Sequence, residues 1–187
     1  MLKVIGICGS PRRKGNTETL LDVTLNEFDK KYFEIEKVLL RECKIEPCTS
    51  CRVCTKTHEC YIKDDMAKII QKLLESHIVI IASPVYFNNV SAQVKAFMDR
   101  TWCIRGKLKD KIGGGIVVGR GYGLELALVA IHTFMLKHEM ILGYRGVSAT
   151  AYEKDEVLKD KRAVEDAKEL AKRLSELCIM MNQNKLK

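Results

Sequence analysis

Five short apolar runs alternate with five stretches of helical periodicity along this chain, and that alternation leaves few folds open. A strand, a crossing helix and a second strand return the chain parallel to itself, so repeated units build a parallel sheet with helices on both faces. The runs are Lys3–Cys8, Phe33–Leu40, His77–Ala82, Lys111–Val118 and Ile141–Ala149. HIVIIA, the third, is uniformly apolar, as strands covered on both faces are. Helices are predicted from Asn16 or Thr17 to about Phe28, over MAKIIQKLLES, and over Ser91–Thr101, Gly123–Met140 and Asp160–Met181. Asp64 and Asp65 stand where a helix N-terminus favours carboxylates, and the final NQNKLK is expected to fray. With 187 residues the chain suits one α/β domain, 1–187, as a three-layer sandwich with strand order 2-1-3-4-5.

In that order the winding reverses between strands one and three, and ligands of such sheets bind beyond the carboxyl ends of the strands at that point. Three loops lie there. GSPRRKGNT, from Gly9 to Thr17, joins a strand to a helix, so backbone N–H groups and the helix dipole face an anion. Ser10, Gly15, Asn16 and Thr17 would line the cradle, and Arg12 can add a charge-assisted hydrogen bond. The spacing fits neither a Walker A loop nor G-x-G-x-x-G; a compact cradle suits one terminal phosphate, such as that of FMN. The loop after strand three begins Pro84, Val85, Tyr86, Phe87, Asn88. Its proline turns the chain out of the sheet, its aromatics offer a flat surface, and Asn88 and Asn89 favour left-handed turns. In GRGYGLE the glycines let backbone approach a flat ligand, which brings in Arg120 and Gly121.

Between strand two and the next helix lies a cysteine-rich insertion, 43–63, with the run PCTSCRVCTKTHEC. Cys48, Cys51 and Cys54 follow one another at x2 spacing and Cys60 comes x5 later. A tight turn of this kind delivers three thiolates to one iron–sulfur cluster. Structural zinc usually takes two separated pairs of ligands, and zinc or idle thiols remain the alternatives. The bacterial ferredoxin run ends in Cys-Pro and shares its last cysteine with a second cluster; here Tyr61 follows Cys60, so the set reads as one self-contained site. The other four cysteines, Cys8, Cys43, Cys103 and Cys178, read as small buried hydrophobes. No acid–base residue is nominated among the four histidines.

Eight cysteines without a secretion signal or an apolar span of membrane length point to a reducing cytoplasm and to no membrane partner. The net charge of +8 would attract phosphate-bearing ligands and acidic proteins. Basic and acidic residues are interspersed, and no aromatic-plus-basic signature is present, which argues against nucleic acid.

GSPRRKGNT, SPVYFNNVSAQVKAFMDR and the glycine-rich third loop resemble the NADPH-dependent FMN reductase branch of flavodoxin-like proteins. PCTSCRVCTKTHEC followed by KDDM is similar to the compact motif of the iron–sulfur flavoproteins. The resemblance implies FMN, a 4Fe–4S cluster on Cys48, Cys51, Cys54 and Cys60, and a homodimer or homotetramer. It further implies electrons arriving from a ferredoxin-type donor and leaving to a small-molecule acceptor such as oxygen or peroxide. Two other functions stay open: an NAD(P)H-dependent FMN or quinone reductase without a cluster, and a zinc-stapled protein that only binds.

Overall fold

A computed structural model describes residues 1–183. The parallel strands β1 (Leu2–Cys8), β2 (Phe33–Leu39), β3 (Ile78–Pro84) and β4 (Ile112–Gly119) form a sheet in the order β2-β1-β3-β4. Beyond β4 come two short pieces, β5 (Ile141–Leu142) and β6 (Val147–Thr150), which both pair with it. The helices are α1 (Asn16–Asn26), the single turn α2 (Cys54–Thr57), α3 (Met66–Glu75), α4 (Ala92–Arg100), α5 (Leu124–Lys137) and α6 (Lys161–Met181). The last four residues of the expected frayed end, 184–187, lie outside the described residues.

Alternation along the strands decides which side of the sheet each helix covers. In β1, Leu2, Val4 and Cys8 face α1 and α6, while Ile5 and Ile7 face α3, α4 and α5. β3 repeats the division, with Ile78, Ile80 and Ala82 on one side and Val79 and Ile81 on the other. Each such isoleucine, wholly removed from water, contributes about 1.5–3 kcal/mol. At the centre, Gly113–Gly115 let helices close in from both faces. A Cβ on Gly113 would lie 2.5 Å from the Met135 sulfur, and one on Gly114 would lie 3.0 Å from Leu170.

Two expectations are corrected. The continuous fifth strand over Ile141–Ala149 is interrupted, because Leu142 pairs with Gly113 but Val147 pairs with Ile116. Gly143–Gly146 must therefore bulge opposite Gly114 and Gly115. Gly146 sits at φ +94°, and Gly143 packs against Leu174 with no room for a Cβ. Helix α5 ends at Lys137 rather than Met140, because His138 and Glu139 turn the chain into β5, Glu139 at φ +58°. Among the described residues no helix is long and apolar enough to cross a membrane.

Candidate functional site

The first loop leaves β1 with the Gly9 N–H bonded to the Ala82 carbonyl, 2.8 Å. Ser10 is buried, and its hydroxyl accepts from the Arg12 N–H at 3.2 Å. Lys14 turns left-handed at φ +49° and donates its N–H to Glu18 at 2.8 Å. Helix α1 then begins at Gly15 with no side chain capping it, so its first N–H groups are presented to the loop's concave side. Thr17 is buried at that end. The Asn16 amide faces elsewhere: it donates to the Glu153 carbonyl at 2.7 Å and accepts from the Val157 N–H at 3.3 Å, so only its backbone remains for a ligand.

Sequence reasoning missed Glu18 and Arg41. Glu18 is almost buried and accepts from Arg41 at 2.9 Å and Lys37 at 3.2 Å. Burial alone pushes its carboxyl up, but the bonds from Arg41, Lys14 and Lys37 outweigh this and hold it below the usual range. Arg41 also donates to the Arg12 carbonyl at 3.3 Å, which ties the cradle to the start of the cysteine insertion.

The second loop is a two-residue hairpin. Tyr86 and Asn89 exchange backbone bonds of 2.9 and 3.1 Å, while Phe87 at φ +46° and Asn88 at φ +61° make the turn. Positive φ at both central residues is the type I′ geometry, so the left-handed pair falls one residue earlier than the two asparagines suggested. Phe87 is fully exposed, and Tyr86 is half exposed. Past the hairpin, Ser91 caps α4 and donates its hydroxyl to the Gly9 carbonyl at 2.7 Å. Loop one and loop two are thus bonded to each other.

In the third loop, Arg120 lies over the Tyr152 ring at 3.9 Å, and Gly121 adopts φ +101°. Gly123 is at φ +67°, and a Cβ there would stand 2.5 Å from the Asn88 Cα. Gly123→Ala is therefore expected to cost about 1–3 kcal/mol from the backbone conformation alone and to push the hairpin away. Urea unfolding and flavin content of the purified variant would both fall; unchanged values in both would refute the packing described.

The cysteine insertion carries the second half of the site. Ser50, Arg52 and His58 adopt left-handed φ of +55°, +61° and +57°, which coils the segment tightly around α2. Cys48 and Cys51 are exposed, Cys54 and Cys60 half-buried, and all four are free thiols. They line one open cavity of about 930 Å³, whose far wall is Trp102, Phe134 and His138. Burial pushes the Cys54 thiol up, and the neighbouring Cys51, Cys60 and Cys48 reinforce this. No three His, Cys, Asp or Glu side chains among the described residues close in tightly enough for a single ion. Four thiols on one open cavity are a donor set that an iron–sulfur cluster can take.

Sequence reasoning also missed the group that closes this loop. Arg100, the last residue of α4, is 1% exposed in its side chain and pairs with Asp64, also 1% exposed. The two bonds are 2.6 and 2.9 Å. Asp64 accepts in addition from the N–H groups of Glu46 at 3.0 Å and Met66 at 3.1 Å. Burial acts to raise the Asp64 pKa, yet the Arg100 and backbone bonds prevail and lower it. The available signal was Arg100 falling three residues after the buried Phe97, on the core face of the helix.

Both carboxylates have folded pKa values below their unfolded ones, so their stabilisation is complete above about pH 4.3 and is lost as pH falls through the folded values. Burial also lowers the pKa of His132 and His138, so stability should begin to fall below about pH 6.5, where the unfolded imidazoles take up protons, and fall again below about pH 4.3 as the two carboxylates lose their share. A urea midpoint series across pH 3–7 reads both declines, and a midpoint unchanged down to pH 3 would contradict them.

The family model for NADPH-dependent FMN reductases matches residues 2–154. The chain belongs to that family. Within the NADPH-dependent FMN reductases it aligns over nearly its whole length with proteins named iron–sulfur flavoprotein. One from Methanocaldococcus jannaschii is 36% identical, over 94% of this chain and 97% of the other. That from Methanosarcina thermophila is 32% identical, over 98% and 99%. Among solved structures, RosB with a bound 8-demethyl-8-formylriboflavin-5′-phosphate has a TM-score of 0.80 at 15% identity, covering 98% of this chain and 81% of that one. That likeness establishes the flavodoxin-like fold. Membership makes this FMN reductase relative an oxidoreductase with a flavin redox role.

Proposed function

We propose that this protein passes electrons between a 4Fe–4S cluster on Cys48, Cys51, Cys54 and Cys60 and FMN at the switch point, receiving them from an acidic ferredoxin-type donor and delivering them to a small acceptor. The observation that carries the reading is the ring of four free cysteines around one cavity in a chain whose other end-of-strand loops form an anion cradle. When bound, the cluster handles one electron and the flavin one or two, which joins single-electron to hydride-like chemistry.

The chain's own residues bind and orient. Ser10 shapes the first loop, the N–H groups of Gly15, Asn16 and Thr17 take the phosphate, and Arg12 adds charge. The backbone of Pro84, Val85, Tyr86, Phe87, Asn88 and Gly121 would hold the flavin ring, with Arg120 held against Tyr152. Exposed Arg52, Arg105 and Lys137 border the cysteine cavity, and with the net charge of +8 they favour an acidic partner. Exposed Leu126, Val129 and Leu136 along α5 support assembly as a homodimer or homotetramer. The domain is taken as 1–187 with 43–63 inserted, working in a reducing cytoplasm.

The test is an anaerobic absorption spectrum with iron, sulfide and zinc assayed on the same sample. Flavin bands over a broad shoulder with about four irons per chain are expected. Flavin without iron would leave a cluster-free reductase. A colourless protein with stoichiometric zinc would overturn both flavin readings.

A further inference from the structure

Arg100 does more than neutralise a buried aspartate. Its two terminal nitrogens reach four acceptors: the Glu46 carbonyl at 2.7 Å, the Ile62 carbonyl at 3.4 Å, and both Asp64 oxygens. Glu46 precedes the first cysteine of the run and Ile62 follows the last, so one side chain fastens both ends of the loop. Those four bonds use every N–H on the terminal nitrogens. The remaining donor, Nε–H, is buried without a partner, although a buried donor ordinarily finds an acceptor. Cys60 lines the same cavity as Arg100, so its sulfur is an acceptor within the site to which the free Nε–H can turn. Arg100 also belongs to the helix that starts on the flavin side: Ser91, the cap of α4, is bonded to Gly9.

We propose that Arg100 is the positioning residue of the cysteine site: anchored by Asp64, it holds both ends of the loop and donates to the Cys60 thiolate when a cluster is bound, which raises the reduction potential of that cluster. This rests on the cluster reading above. A donor directed at a ligating sulfur stabilises the more negative, reduced form, and hydrogen bonds to cluster sulfurs are among the recognised determinants of potential. Lysine cannot reproduce the effect, because a point ammonium lacks the planar fork that serves carboxylate and two carbonyls at once.

The experiment compares wild type, Arg100→Lys and the double variant Arg100→Gln/Asp64→Asn, each purified anaerobically with its cofactors. The double variant removes both buried charges together, so no unpaired charge is left to unfold the chain. Bound FMN and far-ultraviolet circular dichroism report the fold. Iron loss to a chelator and the cluster midpoint in a mediated titration report the role. Both variants should keep FMN, release iron several-fold faster, and show a cluster potential shifted to more negative values with the flavin potential unmoved. A cluster midpoint equal to wild type in both variants would overturn the proposal, even if iron were lost faster, since a merely structural strap would behave so. Wild type lacking both iron and sulfide would overturn the cluster reading itself and the tuning role with it.

Discussion

Asp64→Ala is expected to lower the stability of the folded chain by about 3–5 kcal/mol, the range for removing one partner of a buried ion pair. The loss of attraction is the smaller part. Arg100 would stay 1% exposed with its charge unanswered, and the N–H groups of Glu46 and Met66 would lose their acceptor as well. Asp64→Asn keeps the shape but leaves the Arg100 charge unanswered and sets an amide donor against the guanidinium, so it should cost nearly as much. Equilibrium urea unfolding of the two variants reads both losses. Equal and small effects would mean that water reaches the pair and that the burial described is wrong. Because the pair is shielded, its contribution should change little between low and high salt, unlike exposed pairs such as Lys95–Asp99.

The second large effect is expected at Gly9. A Cβ there would lie 2.0 Å from Val94 Cγ2 and 3.0 Å from the Ser91 hydroxyl oxygen. Val94 is wholly buried in the first turn of α4 and has nowhere to go. In Gly9→Ala the helix must move away by roughly 1.5 Å, an overpacking that costs about 1–3 kcal/mol. The same movement breaks the bond from Ser91 to the Gly9 carbonyl and parts the two loops that would hold the flavin phosphate and ring. FMN affinity should fall at least tenfold, about 1.4 kcal/mol. Adding Val94→Ala should recover most of it by removing the colliding methyl. Flavin fluorescence titration of the three proteins reads this, and a single variant that binds FMN normally would show that the loops are not coupled here.

Much of this architecture is legible in the sequence, for reasons that particular elements show. HIVIIA is a strand because it is apolar on both faces, and a run so short and β-branched has few other options. The strand–helix alternation fixes the sheet order, and the sheet order puts the Gly9, Pro84 and Gly119 loops at one edge. The break between Leu142 and Val147 was not legible, since a bulge depends on what lies opposite, here the narrow Gly114–Gly115 segment of β4. The four cysteines of the run, which the structure puts on one cavity, stand out by their spacing. Arg100 does not, because the need for a buried cation arises only when the insertion, thirty-odd residues upstream, folds back with Asp64 and two carbonyls facing the helix end. Asn16 misled in the opposite sense: its place in the first loop suggested a side chain turned to the cradle, but its amide is engaged by Glu153 and Val157, more than 130 residues downstream.

The double fastening of the cysteine loop has an evolutionary consequence. Glu46 and Ile62 are held by the same guanidinium, so the segment between them behaves as a cassette whose two ends meet at a single latch. Its length and content can change without altering the register of β2 or the seating of α3, provided that the latch survives. A scaffold built this way can take new sequence between its two fastened ends while the sheet and its helices stay as they are.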